Sequence, residues 1–110
     1  EAAFSTALIK NIKPEHFEMT LYINEKTENF VIKRLEREGR GGHIEKIDEN
    51  IFKYSVDIYD TNELTTWIKT FTGRIIKLEG DNKRVIQLFY DDIKTMTQMY
   101  FHSSGEKRYE

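Results

Sequence analysis

Apolar residues in this chain recur with a period that switches between two and about 3.6 residues, and the order of the switches admits few folds. In FEMTLYI, residues 17–23, Phe17, Met19, Leu21 and Ile23 share one side while Glu18, Thr20 and Tyr22 share the other, the pattern of a half-buried strand. Thr27 is placed to cap a helix through ENFVIKRLERE, with Phe30, Val31 and Leu35 as its inner residues and Gly39, Gly41 and Gly42 as its stop. HIEKI and IFKYSVDIY then flank the polar turn Asp48-Glu49-Asn50, giving a hairpin whose second strand turns Phe52, Tyr54, Val56 and Ile58 inward. Asp60 and Glu63 form a capping-box variant ahead of Leu64, Trp67, Ile68 and Phe71 at helical spacing, and Gly73 ends that helix. RIIKL is a fourth strand. After Gly80-Asp81-Asn82 a long helix carries Ile86, Phe89, Ile93, Met96 and Tyr100 in one stripe, widened by Val85, Leu88 and Met99.

The order is strand, helix, strand, strand, helix, strand, with one more helix at the end. It predicts an α+β, ferredoxin-like βαββαβ sandwich: a four-stranded antiparallel sheet, two helices on one face and an extra C-terminal helix. The second sheet face is left open or covered by a partner. With 110 residues the chain has room for one core. Residues 17–101 are the expected domain, 1–16 a connector or the end of a preceding unit, and 102–110 a flexible tail. The chain starts at Glu1 rather than Met, the expectation for a piece of a longer protein.

No apolar run approaches the roughly 18–20 residues that cross a bilayer, so no membrane partner is expected. Cysteine is absent, which removes thiol chemistry and disulfides and suits a cytoplasmic location. A net charge of -2 supplies no general attraction to phosphate backbones.

Catalytic signatures are missing: there is no GxSxG, P-loop, GxGxxG or HExxH, and no catalytic residue, cofactor or metal is expected. His16, His43 and His102 show neither helical pairing nor a carboxylate pattern suited to a metal. Lys33, Arg34, Arg37 and Arg40 gather near a helix C-terminus, either as a phosphate or nucleic-acid patch or as cations at the negative end of a helix dipole among Glu36 and Glu38. Trp67 reads as core or as a ligand platform. On the open sheet face, Thr20, Tyr22, Lys53, Ser55, Asp57 and Tyr59 would form a ligand or partner surface, or an ordinary solvated one.

Residues 62–80, NELTTWIKTFTGRIIKLEG, and the helix after them resemble the C-terminal extension, or WCX domain, of WYL-domain transcriptional regulators. The matching positions are Glu63, Leu64, Trp67, Ile68, Gly73, Ile76, Leu78, Glu79 and Tyr100, and FEMTLYINEKTENFVIKRL resembles that family's first strand and helix. Gly80 departs from the pattern, since many members have proline there. The resemblance spans roughly residues 17–100. It implies a parent protein with an N-terminal winged helix-turn-helix that binds DNA and a WYL domain ending near residue 16. It also implies homodimerisation and a small-molecule or nucleic-acid effector. The alternative is a freestanding ferredoxin-like module that binds a metabolite or single-stranded RNA on Tyr22 and Tyr59.

Overall fold

The computed structural model describes residues 13–102; the apolar segment 4–12 and residues 103–110 of the expected tail lie outside the described residues. Strand β1 (Glu15–Tyr22) leads to helix α1 (Asn29–Glu38), the hairpin β2 (His43–Asp48) and β3 (Ile51–Ile58), and the short helix α2 (Thr65–Lys69). Strand β4 (Ile75–Gly80) and helix α3 (Lys83–Thr97) follow, and a π-helical turn, Gln98–His102, continues α3. The sheet order is β2-β3-β1-β4 with every neighbouring pair antiparallel, the ferredoxin-like arrangement that the periodicity predicts.

Alternation dictates what the sheet buries. Phe17, Met19 and Leu21 of β1 and Phe52, Tyr54, Val56 and Ile58 of β3 meet Val31 and Leu35 of α1, Leu64, Ile68 and Phe71 around α2, and Ile86 and Phe89 of α3 in one core. Phe30 does not join them and is 64% exposed. At about 100° per residue, Val31, Ile32 and Leu35 subtend one arc of α1, and Phe30 falls on the far side of it.

Three local expectations change. Thr27 does not cap α1: its N–H and that of Glu28 both donate to the Asn24 carbonyl, and Glu28 occupies the cap position with its carboxylate turned to the Asn24 N–H and Arg74 rather than to a helix N–H. Asp60 does cap, but through the Asn62 N–H, while Glu63 turns away to pair with Arg40. The single helix expected over 61–71 is broken into a 3-10 turn (Thr61–Leu64), α2 and a second 3-10 turn (Thr72–Arg74).

Strand β1 opens at Glu15, inside the expected connector. The Glu15 carboxylate accepts from the Thr61 N–H and hydroxyl and from the Asn82 side chain, tying the strand to two other elements. Those bonds, Thr61 foremost, hold its carboxyl below the usual range. Gly80 lies so close to β1 that a Cβ on it would stand 2.5 Å from the His16 carbonyl oxygen and 3.2 Å from Phe17 Cα. Glycine at position 80 is therefore what this β1–β4 approach demands.

Candidate functional site

Strand register decides which of the predicted face residues share a surface. Thr20 pairs with Lys53, Glu18 with Ser55 and His16 with Asp57, so Thr20, Ser55 and Asp57 are brought together across β1 and β3. The two tyrosines are not. Tyr22 pairs with Ile51 at one end of β3, and Tyr59 follows the other end, which puts them about 25 Å apart at strand rise. Tyr22 instead lines a cleft of about 370 Å³ with Glu28, Thr70, Phe71, Gly73 and Arg74. The paired-tyrosine platform expected from alternation is lost because adjacent antiparallel strands point their C-terminal ends in opposite directions.

One end of the open face is occupied by His16, the second residue of β1. Its Nδ1 lies 2.8 Å from an Asp57 carboxylate oxygen and its Nε2 2.8 Å from one of Glu18. A neutral imidazole has one N–H and cannot donate to both, so this geometry specifies the imidazolium. The Glu18 bond first, then Asp57, raises the His16 pKa, and His16 in turn lowers that of Glu18. Sequence reasoning places His16 in a connector, without a carboxylate pattern suited to a metal, and does not anticipate this clasp. The signal was present: His16 and Glu18 are separated by two residues and so share a strand face. The two carboxylates grip opposite sides of the ring and do not converge on a point, and among the described residues no cluster suited to a metal ion is found. With Lys53 3.8 Å from Glu18 and Lys77 3.1 Å from Glu79, the face is a mixed and internally paired surface.

The arginine patch is neutralised in the same way. Arg34 Nε donates to Glu38 at 2.9 Å, its Nη2 donates to the Thr70 hydroxyl, and its guanidinium carbon stands 4.3 Å from the Phe71 ring centroid. Arg37 is 3.5 Å from Glu38, and Arg40 donates to Glu63 at 2.7 Å. Each cation is aimed at a carboxylate of its own fold, and the three do not present a joint phosphate cradle. Trp67 is half-buried, edge-on to Tyr54 and Phe71 at 5.3 and 5.0 Å between ring centroids, and its indole N–H donates to Glu38 at 2.8 Å. Packing against the core with its one donor satisfied, it is a cover over Tyr54.

Among the described residues, the strongest unpartnered surface is at the end of α3. This helix runs back along β4: the Leu78 N–H of that edge strand donates to the Tyr90 hydroxyl at 2.9 Å, and Lys69 pairs with Asp92 at 2.7 Å. Six strand residues span roughly 20 Å, which about 13 helical residues cover. Counting from Lys83, the helix outruns the strand after Thr95. Met96 is accordingly 42% exposed, and Met99, Tyr100 and Phe101 are 68%, 66% and 66% exposed. Beside them, Ile93, Met96, Met99 and Tyr100 face Lys69 and Thr72 across an open groove of about 710 Å³. The stripe predicted from Ile86 to Tyr100 is real, but only its first half lies on the core.

The described residues thus define a compact α+β domain with a paired polar sheet face and an apolar helix end, and none of their helices is long and apolar enough to cross a membrane. Compared with known families, curated proteins and solved structures, the chain matches no family model, no curated protein and no solved structure.

Proposed function

We propose that this chain is the C-terminal regulatory and dimerisation module of a cytoplasmic WYL-type helix-turn-helix transcriptional regulator. The observation that carries the proposal is the apolar end of α3, which the domain's own layers leave uncovered and which suits burial against another polypeptide. Supporting it are the ferredoxin-like order and the positions that resemble the WCX pattern: Leu64, Ile68 and Leu78 are buried and Trp67 packs on the core. The module acts without catalysis. An effector or partner that binds one arrangement of the dimer better shifts the population toward it, and a DNA-binding domain elsewhere in the parent reports the shift. The separation of Tyr22 from Tyr59 weighs against stacking of RNA bases between them.

The test is the mass of the native polypeptide that contains this segment, by immunoblot with an antibody raised against it. Three domains of ordinary size give a product about three times heavier than this chain. A product no heavier than the chain overturns the regulator. In the intact protein, Tyr22→Ala and Tyr59→Ala separately address effector response at the two ends of the sheet. No change in either removes both ends from the effector surface.

A further inference from the structure

We infer that the C-terminal end of α3 is a docking surface for a second copy of this chain, the two helices crossing about a two-fold axis. The inference rests on the assembly part of the reading above and names the surface responsible.

Three observations point to a second copy. Ridge and groove lie on the same end of the molecule: Met99 and Tyr100 stand out beside the channel that runs between α3 and Thr72. A two-fold rotation seats each ridge in the other copy's groove, the self-complementary contact of an isologous dimer. The segment Thr95–Phe101, TMTQMYF, has no charged residue in a chain that is 33% charged, so the charges covered with it are those of Lys69 and Asp92 on the groove, which already pair with each other at 2.7 Å. It also lacks the Lys or Arg that would hold an apolar helix face on anionic lipid. Finally, the area suffices. Large side chains bury roughly 150–250 Å² each, so Met96, Met99 and Tyr100, which line the groove, offer on the order of 350 Å² at their exposures. Two copies give about 700 Å², and the rims of both grooves bring the total toward the roughly 1,000 Å² that a specific interface needs.

Other surfaces are less suited. Along β2, an edge of the sheet, Glu45, Lys46 and Asp48 are exposed, charges that discourage strand addition. On the open face the His16, Glu18, Asp57 and Lys53 charges already satisfy one another.

The test is the mass of the 110-residue chain against concentration by sedimentation equilibrium, with Met99→Glu, Tyr100→Glu and, as a control on another surface, Tyr22→Glu. The expected result is a doubled mass in the micromolar range for wild type and the control, with Kd raised at least about tenfold by either α3 variant. Because Met99 and Tyr100 are largely exposed, circular dichroism of these variants stays that of wild type. The chain has no cysteine, so Met96→Cys introduces a thiol whose only mate is its copy. Oxidation should link it into a dimer, while Tyr22→Cys stays monomeric. A wild type monomeric at every concentration overturns the inference, as does a dimer unaffected by Met99→Glu or one dissolved by Tyr22→Glu. If α3 is instead protected only in a longer parent and this chain stays monomeric, another domain covers it and the second copy is refuted. A dimer formed by a polypeptide no heavier than this chain would leave the surface intact while removing the regulator.

Discussion

Replacing Tyr54 with Phe removes one oxygen from the centre of the core, and the cost can be worked from its surroundings. Tyr54 is wholly buried, and its hydroxyl donates to the Gly39 carbonyl at 2.7 Å. That carbonyl also accepts the Gly42 N–H at 2.8 Å, so it keeps a partner when the hydroxyl goes. The larger penalty of an orphaned buried acceptor, up to ~3 kcal/mol, therefore does not apply, and the loss is that of one net hydrogen bond, about 1 kcal/mol. The ring stays in place, wedged so closely between Gly39 and Gly42 that a Cβ on either would come 2.7 or 2.6 Å from Tyr54 Cε1. Urea unfolding followed by the fluorescence of Trp67, the chain's single tryptophan, should show a lower midpoint and an unchanged slope. For a domain of this size the melting temperature falls by roughly 4–8 °C per kcal/mol. Burial also pushes the Tyr54 pKa up to about 12 from an ordinary 10.0. A raised pKa means that stability held below pH 10 is lost as pH climbs toward 12, and Tyr54→Phe should lack that alkaline component. A loss under about 0.3 kcal/mol would refute the hydrogen-bond account, and one well above 3 would mean that the Gly39 carbonyl is left without a partner.

Gly80→Ala should cost roughly 2–3 kcal/mol, because the new methyl meets β1 backbone rather than a movable side chain; a melting temperature within a degree of wild type would contradict the close approach. Glu38→Ala removes the acceptor of the Trp67 N–H, and the emission of this one tryptophan should shift to the red without loss of the fold, whereas an unchanged spectrum would count against that bond. In the pH profile, His16 has a raised pKa, so its contribution is complete below about 6.5 and disappears as pH rises through its folded value. Because the His16 side chain is 43% exposed and its pairs are screened by solvent, the change is only about 0.5 kcal/mol, and His16→Gln should abolish it. Glu15 has a lowered pKa and contributes the opposite arm, present above 4.5 and lost as pH falls; Glu15→Gln should flatten part of the acid decline.

Element order was legible because each strand and helix carries its own periodicity: Phe17, Met19 and Leu21, or Phe52, Tyr54 and Val56, declare a strand without reference to anything distant. What went unread depends on partners remote in sequence. Arg34 and Arg40 look like a cationic patch until Thr70 and Glu63, 36 and 23 residues away, are folded against them. Tyr22 and Tyr59 look alike because both sit at the C-terminal ends of adjacent strands, yet antiparallel pairing turns that likeness into separation. His16 was missed for the same reason, since half of its clasp is Asp57, 41 residues away across the strand pair.

The α3 stripe shows how a correct period can imply burial that the fold does not provide. From Ile86 to Tyr100 the helical repeat is unbroken, but full burial ends at Phe89 and partial burial at Ile93, just before the helix outruns β4. Apolar residues beyond that point are exposed among the described residues, and in the assembly proposed above a second copy continues the surface that β4 begins. A chain terminated after Gln98 therefore should unfold close to the wild-type midpoint when both are dilute and monomeric, since Ile86 and Phe89 keep their core contacts. At high concentration the two should diverge, with wild type gaining stability by mass action and the shortened chain not. Equal concentration dependence would place the assembly surface elsewhere, and a large loss in the dilute monomer would mean that the end of α3 serves the core after all.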